Sequence, residues 1–165
     1  MIKKISKEKD KSNYNGAVVL GLNDALVELS GALIGLSFAF IETKLIATVG
    51  LITGFAAALS MAASEYLSAE EDKNKSPIKA ATYTGISYML AVLILVSPYF
   101  LISNVFASAL VMFALVVIII AAYTKYDSKL HKESFKKKFG KMLTITLAVS
   151  IVSFLFGMLV KKLTG

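Results

Sequence analysis

The sequence predicts an all-α integral membrane protein of five transmembrane helices, and three observations carry that prediction. Hydrophobic residues fill 56% of the 165 positions, and the mean hydropathy is +0.70. Several apolar runs reach the ~20 residues needed to cross a hydrocarbon core about 30 Å thick. Charged residues gather in short stretches between those runs. A chain of this kind forms a single membrane domain with no room for a second folded unit. The absence of cysteine excludes disulfides, thiolate metal sites and thiol chemistry.

Residues 1–15 form a basic polar arm with Lys3, Lys4, Lys7, Lys9 and Lys11. The apolar run behind it is too long, and its acids are wrong, for a signal-peptide core, so it is read as an uncleaved first span over about 16–41. Glu42, Thr43 and Lys44 turn the chain into a second span over about 45–68. The polar loop 69–79, AEEDKNKSPIK, follows, with Pro77 as its breaker. Span three covers about 80–102, with Pro98 in its last turn and Tyr99 and Phe100 as interfacial anchors. Ser103 and Asn104 lead into span four, about 105–123, which has neither charge nor glycine. A helix apolar all round most simply faces lipid. The stretch 125–141, KYDSKLHKESFKKKFGK, reads as the most basic loop, with His131 solvated within it. Leu130, Phe135 and Phe139 among its lysines suit anionic lipid headgroups better than nucleic acid. Span five covers about 142–160.

All 18 basic residues are lysine, and the formal net charge is +7. Fifteen of the 18 lysines fall in the arm, the 69–79 loop and the 125–141 stretch, on one side of the five spans. Lys44, Lys161 and Lys162 fall on the other. The positive-inside rule then puts the N-terminus in the cytoplasm and the C-terminus outside or in a lumen. Lysines beside spans are explained by topology, so no nucleic-acid partner is expected.

Two carboxylates, Asp24 and Glu28, stand inside span one. A carboxylate near the bilayer centre costs about 2.5–3.5 kcal/mol on insertion scales and is seldom there without a partner. In a regular α-helix Asp24, Glu28, Gly31 and Gly35 share one face, which offers two acids and then two glycines to a neighbouring backbone. Span two repeats the arrangement: Gly50, Gly54, Met61 and Glu65 fall on one face. At about 1.5 Å per residue, Glu65 lies roughly 5 Å below the cytoplasmic surface, Met61 roughly 10 Å, Asp24 roughly 12 Å and Glu28 roughly 18 Å. Carboxylate oxygens with one thioether, and no His or Cys, suit a divalent ion of intermediate hardness such as Fe²⁺ or Mn²⁺. Glu70, Glu71 and Asp72 form a solvated turn that could draw cations toward the mouth.

The segments LNDALVELSGALIGL (22–36), ALSMAASEYLS (58–68) and KAATYTGISYMLAVLILVSPYF (79–100) resemble the vacuolar iron transporter family. The second-span pattern is the most specific, matched at Ser60, Met61, Ala62, Glu65, Tyr66 and Ser68. In the first-span pattern Asp24 precedes the Leu26–Val27 pair, with Ala25 where the family usually has glycine. Thr84, Gly85, Tyr88, Pro98 and Tyr99 match the third-span run. The resemblance implies five spans and a homodimer whose ion path runs between the first two spans of each protomer. It also implies proton-coupled export of Fe²⁺, often with Mn²⁺, from the cytoplasm. By motif, Asp24 and Met61 become path ligands and Glu65 stands near the cytoplasmic mouth; Glu28 is added from spacing. Well-studied members insert a Glu-rich metal-collecting domain between spans two and three, where this chain has only the loop 69–79. It resembles a short form of that family.

The sequence therefore leads to a metal exporter, not an enzyme, with no resident cofactor. Divalent ions are its cargo and protons its coupling ion, in a prokaryotic cell membrane or, in a eukaryote, a vacuolar one. The alternative is a small membrane scaffold whose intramembrane acids only hold helices together.

Overall fold

The computed structural model describes residues 14–72 and 76–164. Most of the basic arm, with Lys73 and Lys75, lies outside the described residues. Among the described residues there are helices and short connections and no strand. Five helices are long and apolar enough to cross a membrane. They are α1 (Tyr14–Ala39), α2 (Thr43–Glu71), α3 (Pro77–Leu101), α4 (Val105–His131) and α5 (Phe135–Thr164).

The helices outrun the spans read from hydropathy, most of all where a basic loop was expected at 125–141. There α4 continues to His131 and α5 begins at Phe135. Backbone hydrogen bonding does not stop where the apolar run does, and lysine and leucine are good helix formers. The break is confined to a few residues around Lys132, which takes a left-handed conformation (φ 55°) and donates its N–H to Ser128 O. Lys138 braces the hairpin: its ammonium bonds Asp127 and lies 3.3 Å from Glu133. Phe135 and Phe139 stack with ring centres 5.5 Å apart. The 69–79 loop is shorter than expected too. Glu70 and Glu71 belong to the last turn of α2, and Pro77 starts α3, where a missing N–H costs nothing.

Contacts gather the chain into two compact units, residues 1–25 with 52–92 and residues 26–51 with 93–165. The first is organised around Tyr14, buried with Ala17, Ala69 and Ala80. Its hydroxyl accepts the Ser76 N–H at 2.9 Å, its ring lies 5.5 Å from Tyr83, and Lys79 Nζ sits 5.8 Å from its centre. Thr84 Oγ1 donates to Ala17 O at 3.0 Å, tying α3 to α1. Gly21 permits this approach, because a Cβ there would lie 2.3 Å from Thr84 O.

In the second unit α1 and α5 meet backbone to backbone. A Cβ on Gly157 would stand 2.4 Å from Gly35 O, and one on Gly35 would stand 2.9 Å from Ser153 O. Beside this contact Phe38 packs edge-on against Phe154, centres 4.3 Å apart, and against Phe106 at 5.6 Å. Ser37 donates to Leu33 O at 2.7 Å, which leaves its oxygen to accept from the buried Tyr99 hydroxyl at 2.8 Å.

Gly157→Ala is expected to force α1 and α5 apart, lowering stability by about 1–3 kcal/mol. Gly140→Ala, where a Cβ meets nothing within 4 Å, is expected to be neutral or slightly stabilising. Thermal unfolding of the two variants in one detergent checks the contrast.

Candidate functional site

The acidic segment of α1 is not a regular helix. Ala25–Leu29 forms a π-turn, with Asp24 just before it and Glu28 inside it. A π-turn bonds i to i+5 and takes up an extra residue, so the residues on its two sides lose a common face. This corrects the expectation of one stripe through Asp24, Glu28, Gly31 and Gly35. Asp24 is half-buried and Glu28 exposed, whereas Gly31 and Gly35 are both buried.

The widened turn also leaves a carbonyl short of its usual N–H donor. Ser30, fully buried, answers it: its hydroxyl donates to Leu26 O and lies 3.4 Å from Val27 O. Nothing in the hydrophobic pattern marks the π-turn. The signal available in the sequence was a serine two residues beyond a carboxylate within an apolar run. Asn23 was also passed over. Its Oδ1 is buried without a hydrogen-bond partner, one residue before Asp24.

On α2, Met61 and Glu65 stand one helical turn apart. Met61 is half-buried. Glu65 is 9% exposed, the one charged side chain buried among the described residues. Glu70 and Glu71 are exposed in the last turn of α2, with Asp72 half-buried just beyond. Asp24, Met61 and Glu65 fall in the first compact unit and Glu28 in the second. Among the described residues no three His, Cys, Asp or Glu side chains come together as a group that could hold a metal ion.

The four glycines assigned to a seam beside the acids serve contacts within the protomer. A Cβ on Gly31 would meet Ser153 Oγ at 2.9 Å and Val149 Cγ1 at 3.0 Å, both on α5. One on Gly50 would meet Leu33 Cδ2 at 2.7 Å, and one on Gly54 would meet Val92 Cγ1 at 2.6 Å. The close helix approach expected of small residues is present. For Gly31 and Gly35 the partner is the fifth span and not the second.

Compared with known proteins, residues 15–75 match the family model of the VIT family, which supports membership of the chain in that family. The match takes in the π-turn, Asp24, Glu28, Met61 and Glu65. No curated protein matches the chain.

Ser30→Ala removes the hydroxyl that answers Leu26 O and is expected to cost about 1–3 kcal/mol, the penalty of a buried unsatisfied carbonyl. Ser30→Thr keeps the donor and is expected to stay close to the parent. Thermal unfolding in detergent separates the two variants.

Proposed function

We propose that this chain, a VIT-family protein by its first two spans, exports Fe²⁺ and/or Mn²⁺ from the cytoplasm in exchange for protons. Membrane transport of metal ions is what the family suggests. The observation that carries the finer reading is Glu65, a buried carboxylate one turn from a thioether within the matched segment. A buried charge is tolerated when it is paired, bound to a metal ion or neutralised by a proton. A carboxylate at the mouth of a path that carries metal one way and protons the other meets that requirement with either occupant.

Among the described residues a single copy gathers no cage of carboxylates, and Glu28 is exposed in the middle of a span. Exposure to lipid at that depth is costly for a carboxylate. Both facts support a homodimer in which a second copy covers Glu28 and doubles the number of acids along the path. A divalent ion entering from the cytoplasm then displaces protons, and protons from the far side displace the ion.

Asp24 supplies the charge at the binding level and Met61 the soft ligand. Glu65, with Glu70, Glu71 and Asp72 beyond it, gathers cations at the mouth. The lysine distribution supports a cytoplasmic N-terminus; the membrane we propose is a prokaryotic cell membrane. Exposed lysines of the α4–α5 hairpin, Lys129, Lys136 and Lys137 among them, suit anionic headgroups on that side.

Uptake of Fe²⁺, Mn²⁺, Co²⁺ and Zn²⁺ into inside-out proteoliposomes under a pH gradient tests the proposal. Asp24→Ala is expected to abolish transport of every ion. Met61→Ala should impair Fe²⁺ and Co²⁺ more than the harder Mn²⁺. Glu65→Gln should mainly raise KM, and Glu28→Gln should shift the pH dependence by removing a proton site. Wild-type uptake by Asp24→Ala would take Asp24 off the path, and no uptake of any ion by the parent would favour a scaffold whose acids only bond helices.

A further inference from the structure

A groove of about 330 Å³ opens in the second compact unit where the α1–α2 and α3–α4 connections meet the end of α5. Its walls divide by chemistry. Phe38, Phe40 and Phe106 give it an apolar side, while Ser103, Asn104 and Lys161 give it a polar side. Among the described residues, Lys161 is the only charged one in the lining. We propose that this groove binds an anionic phospholipid, with its phosphate on Lys161 and its acyl chains along the phenylalanines.

The polar side presents donors. Asn104 Oδ1 accepts the Ala107 N–H at 2.9 Å as the cap of α4, so its amide NH₂ is left to donate outward. The exposed Ser103 hydroxyl and the Lys161 ammonium stand beside it. Three donors with one positive charge and no carboxylate select an anion with several acceptor oxygens.

The apolar side excludes a purely water-soluble one. Phe106 is 64% exposed, and Ile41, also on the lining, is 88% exposed. These side chains lie at the ends of spans, where hydrocarbon gives way to headgroups. A phosphodiester with acyl chains satisfies both walls at one depth. Neither a free phosphate nor a neutral lipid does.

The site also gives a use to a lysine that the positive-inside rule leaves unexplained. Lys161 and Lys162 both stand in the last turn of α5, where a cation complements the helix dipole. That role is common to the two, but only Lys161 lines the groove. Lys162 is therefore the internal control.

The test is binding and does not depend on metal transport. The purified full chain in detergent is titrated with phosphatidylglycerol or phosphatidylcholine, and bound lipid is counted by native mass spectrometry. Wild type is expected to prefer phosphatidylglycerol. Lys161→Ala should weaken its binding by about tenfold, and Lys162→Ala should stay within about twofold. Phe106→Ala, at an exposed position that tolerates truncation, should weaken phosphatidylglycerol as well. Millimolar inorganic phosphate should not displace the lipid. The proposal is overturned if Lys161→Ala binds like Lys162→Ala, if phosphatidylcholine binds equally well, or if phosphate alone competes.

Discussion

In a bilayer every backbone N–H and C=O must find its partner within the protein, because the hydrocarbon supplies none. Where this chain departs from a regular α-helix, a hydroxyl stands ready. Ser30 answers Leu26 O beside the π-turn. Pro98 inside α3 has no N–H to give, and Ser97 Oγ donates to Ile94 O, four residues before the proline, at 2.8 Å. Ser108 adds a 3.3 Å bond to Pro98 O from α4. The same hydroxyl-to-carbonyl bond recurs in regular helix, as from Thr82 to Ile78 O at 2.7 Å, so the hydroxyls accompany these departures without fixing where they occur.

Helix packing follows a second rule of the same environment. Lipid gives helices no hydrophobic reason to associate, so close contact depends on small residues and on bonds between helices. Gly35 against Gly157 and Gly21 against Thr84 use the first means. Thr84 to Ala17 O and Tyr99 to Ser37 use the second. Both hold the chain together. Glu28 is exposed in mid-span.

Hydropathy made the five spans legible because apolar length is what a membrane selects. It did not reveal their ends. Lys125, Tyr126 and Asp127 are polar yet continue α4, since helix formation asks only for propensity and satisfied backbone groups. The carboxylates and the thioether were legible by residue type, and the family match covers them. Their arrangement was not. A hydrophobic pattern averages over a whole face, whereas a π-turn is a one-residue event. Ser30 and Asn23 were visible as polar residues in an apolar run, but neither has a charge to draw notice.

The link between the first two helices is only Phe40 to Glu42. Its shortness bears on how the protein is made. α1 is the least apolar of the five spans and carries both acids, so it is the segment least able to leave a translocation machinery for lipid unaided. Three linking residues hold the ends of α1 and α2 close together, which favours entry of the pair as a hairpin. Lengthening that link would then act first on the yield of inserted protein in the cell and only afterwards on anything the finished molecule does.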